Sequence, residues 1–460
     1  MADHTVTVES TLEALLVEKK YSTIREMLST MNPADSASVF DGLEESLLPL
    51  LFRLLPKELA AETFVEMEPE AQELLIQGFS DSELKEVIDE LYVDDAVDIV
   101  EEMPANVVQR ILTQAEPDMR KQINEILRYP EDSAGSIMTT EYVSLRPNMT
   151  VEEAILRIRR TGIDKETIYT CYVTRGHKLI GLTSVKDLLL CEDDDATIES
   201  IMQEHVITVG TLDDKEQVAQ MFSKYNFLAL PVVDTENRLV GIVTFDDAMD
   251  VMEEEATEDF EKMAAILPGD KPYLKTSVFE TWRSRIPWLL MLMLSATFSG
   301  MIITHFEGAL AACVVLTSFI TMLSGTGGNS GSQSSVAVIR ALSLGEVEFS
   351  DMLAVVWKEL RVALLCGVCL AAANFVKMML VDRMLMHNPQ VTVPVALVVC
   401  LTLMCTVVCA KIVGCTLPMA AEKIGIDPAV MAAPFITTVV DQFLVADTDL
   451  GAFFNGLGNK

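Results

Sequence analysis

The sequence predicts a multidomain chain. It should hold an α-helical, solenoid-like N-terminal domain, a duplicated α/β unit, an acidic connecting helix and a transmembrane domain of five helices. Three observations predict this. First, charge is unevenly placed: the 460 residues include 34 basic and 69 acidic ones, and residues 271–460 hold twelve of each, so the net charge of −35 lies wholly in 1–270. Second, an internal repeat closes that acidic part. Third, apolar stretches of the ~20 residues that cross a bilayer begin only near Ile286.

An acidic excess repels nucleic-acid phosphates and attracts cations, so no nucleic-acid partner is expected. Met1-Ala2-Asp3-His4 lacks the basic then apolar pattern of a signal peptide, and 1–275 is expected in the cytosol. From Ser10 to Arg128 apolar residues recur at helical spacing, with breaks at Pro33, Pro49, Pro56, Pro69, Pro104 and Pro117. Asn32-Pro33-Ala34-Asp35, Leu55-Pro56-Lys57-Glu58 and Tyr92-Val93-Asp94-Asp95 each open a helix with acid in its first turn, where the helix dipole favours it. Short helices in such series predict a small solenoid over 1–135.

The repeat begins at Ile137-Met138-Thr139 and again at Ile201-Met202-Gln203. Each copy then carries a strand and an acidic helix start, Thr150-Val151-Glu152-Glu153 and Leu212-Asp213-Asp214-Lys215. Each ends in Leu179-Ile180-Gly181-Leu182-Thr183-Ser184 or Leu239-Val240-Gly241-Ile242-Val243-Thr244 and a further helix. The glycine is predicted at a tight turn between strands, and Ser184 or Thr244 at a helix N-cap. The pattern resembles a tandem pair of CBS domains over 136–252, about 136–198 and 199–252. In that family Ser/Thr-x-x-Asp can hold a ribose, so Ser184, Asp187 and Thr244 are candidates for binding ATP or another adenine nucleotide. The same residues serve as plain helix caps, and both readings stand.

Residues 253–275 read as a connecting rod, with Asp247, Asp250, Glu255, Glu258 and Asp259 along the acidic helix that leads into it. Five apolar segments follow, at 286–304, 308–339, 353–381, 388–410 and 429–446, within 276–460. A cytosolic start with Arg283 and Arg285 places the first helix's N-terminus inside, and an odd count places the C-terminus outside. The expected location is a cell membrane, inner or plasma, crossed several times. Cys366 and Cys369 form C-x-x-C within an apolar helix, where close packing rather than metal binding is expected.

Polar residues inside these segments carry the chemistry. Asp441 lies ~20 Å along a helix from Pro428, at ~1.5 Å per residue. A carboxylate at that depth usually meets a bound ion or a water-filled path. Gly325-Thr326-Gly327-Gly328-Asn329-Ser330-Gly331-Ser332-Gln333 puts small and amide residues at membrane depth, tolerated where they are buried or line water. Asn329 and Gln333 lie four apart on one face and predict a pore wall. A hard cation prefers oxygen ligands and keeps part of its water. Asp441 would supply charge to it, and Asn329, Thr437 and Thr438 would hold its water. Asp427 would concentrate the cation at the inner mouth or cap the helix after it. The absence of a G-x-x-x-x-G-K-[ST] loop argues against an ATP-driven pump.

Arg285-Ile286-Pro287-Trp288-Leu289, Gly327-Gly328-Asn329-Ser330-Gly331-Ser332-Gln333 and Asp427-Pro428-Ala429 with Pro434 to Asp441 resemble the MgtE family of magnesium channels and transporters, across nearly the whole chain. The resemblance implies a homodimer in the lipid bilayer and no enzymatic activity, with Mg²⁺ both transported and regulatory. It implies Mg²⁺ bound at the pore centre by Asp441 of two protomers. It also implies Mg²⁺ bound between facing carboxylates, here Asp94, Asp95 and Asp98 on one side and Asp247, Asp250, Glu255, Glu258 and Asp259 on the other. A channel closed by cytosolic Mg²⁺ is the expected function. An exchanger coupled to Na⁺ or H⁺ is the alternative.

Overall fold

A computed structural model describes residues 2–269, 273, 274, 276–305, 308, 311, 314–431 and 436. The chain divides into two compact units, Met1–Met252 and Glu253–Lys460.

The first unit opens with short helices from α1 (Ala2–Val17) to α10 (Pro117–Ile126). Local chemistry starts them: the Asn32 side chain accepts from the Ala34 N–H, and Ser80 with Glu83 forms a reciprocal capping box. Such caps satisfy backbone donors that the first turn leaves unpaired. Helix α3 (Pro33–Asp41) packs on α5 (Lys57–Val65), α5 on α7 (Asp81–Ile88), and α7 on α9 (Ala105–Gln114). This next-but-one packing is the stacking that the solenoid reading expects. Phe52, Phe64 and Phe79 meet at its centre, with ring centroids 5.3 to 6.4 Å apart.

Two three-stranded sheets follow. The first orders β1 (Tyr142–Leu145), β2 (Thr167–Arg175) and β3 (Lys178–Ser184), and the second β4 (Val209–Gly210), β5 (Ala229–Val233) and β6 (Leu239–Thr244). In each, the first pair is parallel and the second antiparallel. The copies exchange their opening segments: Thr139 pairs with Ile242 in β6, and Gln203 with Leu182 in β3.

That exchange corrects the expectation for the repeat glycines, which lie inside β3 and β6 and not in turns. A Cβ on Gly181 would stand 3.0 Å from the Gln203 carbonyl oxygen, and one on Gly241 2.8 Å from that of Thr139. Close approach of the exchanged segment, which carries Met202 or Met138, is what demands glycine there. The β2–β3 turn instead uses Gly176, with φ of +71°.

Helix α15 (Phe245–Met263) runs from the first unit into the second. The second unit contains α16 (Val278–His305), α17 (Thr317–Ser343), α18 (Met352–Lys377) and α19 (Val393–Lys423). Among the described residues, 349–385 and 393–423 are long and apolar enough to cross a membrane. The fifth expected span lies outside the described residues apart from its start, a 3₁₀ turn at Pro428–Met431, and Ile436. The fourth span was expected to stop at Ala410. It continues through Lys411 and Pro418 to Lys423, because Lys411 is buried against partners on two neighbouring helices.

Helices α17 and α19 cross at glycines. A Cβ on Gly414 would run into the Gly331 carbonyl oxygen, and one on Gly331 would stand 3.0 Å from the Ala410 carbonyl oxygen. Backbone cannot yield as a side-chain tip can. Replacing Gly241 by Ala should lower the stability of the repeat by ~1–3 kcal/mol. A fall in the thermal midpoint of the purified protein would show it, and an unchanged midpoint would refute the close-approach account.

Candidate divalent cation sites

The first site is a group of carboxylates in the first unit, one buried and two half-buried. Helix α8 (Val93–Glu102) presents Asp94 and Asp95 in its first turn. The Val93 N–H donates to Glu141 Oε2 at 3.3 Å, and the Glu166 N–H donates to the Glu141 carbonyl at 3.0 Å. These bonds bring the start of α8 to the segments that precede β1 and β2. One oxygen each from Asp94, Glu141 and Glu166 then lies within 4.8 Å of the others. Asp94 is 6% exposed, and its Oδ1, like Glu166 Oε2, has no hydrogen-bond partner.

Buried polar atoms are rarely left so, and here the orphaned atoms are carboxylate oxygens of two members of the group. Burial, then the charge of Asp247, pushes Asp94 well above the usual carboxylate range. Burial and Asp247 raise Asp95 to about 7. Burial and Asp95 raise Glu166 to about 8. Burial raises Asp247 to about 6, against the 2.6 Å bond from the Thr244 hydroxyl. Octahedral Mg²⁺ sets opposite ligands ~4.2 Å apart. Three oxygens within 4.8 Å fit one such ion, held directly or through one of its waters. Asp98, one turn along α8, is exposed, as is Asp250 in α15.

The second site lies in the second unit. Lys262 Nζ stands 2.7 Å from Glu258 and 2.5 Å from Asp427. Asp259 accepts from the Ser343 hydroxyl at 3.1 Å, and burial raises its carboxyl. Of the two roles expected of Asp427, the cap is present: its Oδ1 accepts from the Ala429 N–H at 2.7 Å at the start of the 3₁₀ turn, while Oδ2 faces the Lys262 ammonium. A lysine thus stands between carboxylates expected to bind metal. Glu255 is half-buried on the same helix.

The third feature is the face of α17. Gly327, Gly328, Ser330, Gly331, Ser334 and Ser335 are buried, whereas Gly325, Asn329, Gln333 and Arg340 are exposed on the other side. Ser335 donates to the Met431 carbonyl at 3.1 Å, and a Cβ on Gly331 would stand 2.7 Å from Ile436. The start of the fifth segment therefore packs on α17. Asp441, Thr437 and Thr438 lie outside the described residues.

Ser184 and Asp187 form a reciprocal capping box at the start of α12 (Val185–Leu190), with a further 2.7 Å bond between their side chains. In the second copy the Thr244 N–H and hydroxyl both donate to Asp247 Oδ2, at 3.3 and 2.6 Å. The full capping box is thus present at Ser184, and half of it at Thr244.

Comparison with known proteins agrees with this division. Residues 31–132 match a family described as the MgtE intracellular N domain, 134–192 and 198–254 match the CBS domain, and 320–445 match MgtE, a divalent cation transporter. The chain is 36% identical to the magnesium transporter MgtE of Thermus thermophilus, over 94% of each protein. It is 32% identical to that of Bacillus subtilis, over 93% of this chain and 92% of the relative. The chain belongs to the MgtE family of magnesium transporters. A solved cytosolic domain of the Mg²⁺ channel MgtE in complex with ATP is 38% identical and superposes with a TM-score of 0.50, over 53% of this chain and 99% of that one. The soluble part of a magnesium transporter superposes with a TM-score of 0.51 at 32% identity, over 55% of this chain and 99% of that one.

Within this MgtE family member, sequence reasoning missed Glu141 and Glu166. Each precedes a strand in an unremarkable loop, and nothing local marks them. Lys262 and Lys411 were missed as well, the one among acids and the other at the expected end of a span.

The raised carboxylates give a signed pH dependence. Asp95 and Glu166 rise from 3.8 and 4.5 to about 7 and about 8, so the stability of the metal-free contact is fully present below pH ~4 and is lost as pH climbs to about 8. Amide exchange of α8 in the metal-free protein should therefore quicken from pH 5 to pH 8, after correction for intrinsic rates. Added Mg²⁺ should restore protection at pH 8. Protection that rises with pH without metal would contradict the assignment.

Proposed function

We propose that the chain is a homodimeric Mg²⁺ channel, closed by cytosolic Mg²⁺, that admits the ion down its electrochemical gradient. The observation that carries the proposal is the set of buried Asp94 with half-buried Glu141 and Glu166, with two orphaned oxygens, beside Asp95 and Asp247. Like charges so placed repel, and a bound divalent ion turns the repulsion into a bridge. Mg²⁺ acts as regulator only through a higher affinity for the closed arrangement. Helix α15 is the element to carry the bias: Asp247 and Asp250 lie near its start, and Glu258, Asp259 and Lys262 near its end.

Permeation rests on the exposed amides of α17. Polar side chains at membrane depth need water or protein against them. In this reading a second copy of the chain faces Asn329 and Gln333 across a hydrated path, and Asp441 of each protomer supplies the charge that draws the ion. A negative-inside potential favours entry of a divalent ion by ~4.6 kcal/mol per 100 mV, so no ATP-driven step is required. The N-terminus is cytoplasmic and the C-terminus outside. An adenine nucleotide binds the repeat at Ser184, Asp187 and Thr244, a reading supported by the ATP complex of the related cytosolic domain.

Flux into liposomes, with Mg²⁺ varied separately on each face, tests the proposal. Asp441→Ala should abolish flux while the protein still dimerises. Asp94→Asn should keep flux but require several-fold more cytosolic Mg²⁺ for closure. Flux that needs a Na⁺ or pH gradient would replace the channel by an exchanger. Titration calorimetry with ATP should give heat that Asp187→Asn weakens, and no heat from the unaltered protein would remove the nucleotide.

A further inference from the structure

Helices α17, α18 and α19 meet at a charged contact that the reading above does not use. Lys411 is 4% exposed and Ser334 1%. Lys411 Nζ donates to Ser334 Oγ at 3.1 Å, and the Ser334 hydroxyl donates to Glu359 Oε2 at 2.6 Å. The ammonium stands 3.6 Å from the same carboxylate oxygen. Each residue sits on a different helix, in the part of the chain that is most apolar. Ionisable groups inside membrane helices are costly, face one another or a path, and mark function more often than support.

The position on α17 says what the contact does. Ser334 follows Gln333 directly and Asn329 by five residues. At ~100° per residue, a Ser334 side chain held inward leaves Gln333 about 100° and Asn329 about 140° away from it, on the open side of the helix. The exposures agree: Ser334, Ser330 and Gly331 are buried, and Asn329 and Gln333 are exposed. The glycine crossing with α19 sets the distance between the helices but has no side chain with which to set rotation. The hydrogen-bonded contact supplies that. Charge matters too, since Lys411 alone would repel a divalent cation with twice the energy it applies to a monovalent one.

We propose that Glu359 and Lys411 are positioning residues for permeation. Through Ser334 they fix the rotation of α17 that presents Asn329 and Gln333 to the ion, and Glu359 cancels the Lys411 charge close to the path. The inference rests on reading α17 as the wall of that path.

The test uses the full chain in liposomes, with E359Q, K411M, the double variant and S334A. E359Q leaves a lone ammonium and should lower Mg²⁺ flux at least ~10-fold, with monovalent flux falling less. The double variant should recover most of the flux, because no unpaired charge remains and the amide oxygen introduced at position 359 can still accept from the Ser334 hydroxyl. Folded E359Q with unaltered flux and selectivity overturns the proposal. A double variant no more active than E359Q also overturns it. S334A keeps both charges and removes only the bridging hydroxyl, so it covers the case in which E359Q does not fold.

A second readout does not depend on flux. With Gln333→Cys in place, labelling of position 333 by a membrane-impermeant thiol reagent should fall several-fold when S334A is added. Equal labelling overturns the rotational role. Absent labelling and absent flux in the parent protein would instead discard the wall reading itself.

Discussion

A carboxylate taken out of water must find a cation, a proton or a set of hydrogen bonds. Much of this molecule answers that constraint, in three different ways. In the first unit the group Asp94, Glu141 and Glu166 is left with orphaned oxygens, and protons or a divalent ion must complete it. At the end of α15 the chain supplies Lys262 to Glu258 and Asp427. Among the apolar helices Glu359 meets Lys411 and Ser334. The sites differ in what a change of ion concentration can do to them. Only the first lacks a fixed positive charge at the carboxylate oxygens it orphans, and it is the one suited to sensing.

Magnesium chemistry fits a site of this kind. The ion is small and hard, prefers oxygen and keeps part of its water, so a few carboxylates in a partly hydrated pocket bind it weakly and reversibly. At the end of α15 a divalent ion would have to displace Lys262 before Asp427 and Glu258 could share it.

The apolar unit relies on close backbone approach. Gly331 and Gly414 let α17 and α19 touch, and Ser335 and Gly331 then receive the start of the fifth segment through Met431 and Ile436. Without a hydrophobic driving force between helices in lipid, such contacts and the polar bonds beside them hold the packing. A stripe of small residues thus serves two ends at once. Its buried side makes the crossing, and its exposed side carries Asn329 and Gln333.

The sequence by itself determined the order of parts, the duplication, the acidic character and the cation as cargo. Those signals are local: charge excess, periodicity, caps such as Ser80 with Glu83, and amides inside an apolar run. Its resemblance to a known family also singled out Asp94, Asp95 and Asp247, which the structure brings close together. Only the tertiary structure decided which side chains share a site. Glu141 and Glu166 reach Asp94 because backbone bonds at Val93 and Glu166 gather three distant segments, and no pattern within any one of them records this. The repeat glycines misled for the same reason. Their neighbours are Met202 and Met138 from the other copy, so a rule about turns could not see the contact that selects them. Lys411 read as the end of a span because a lone charge ends one. Its partners Glu359 and Ser334 come from two other helices, and pairing is a property of the fold.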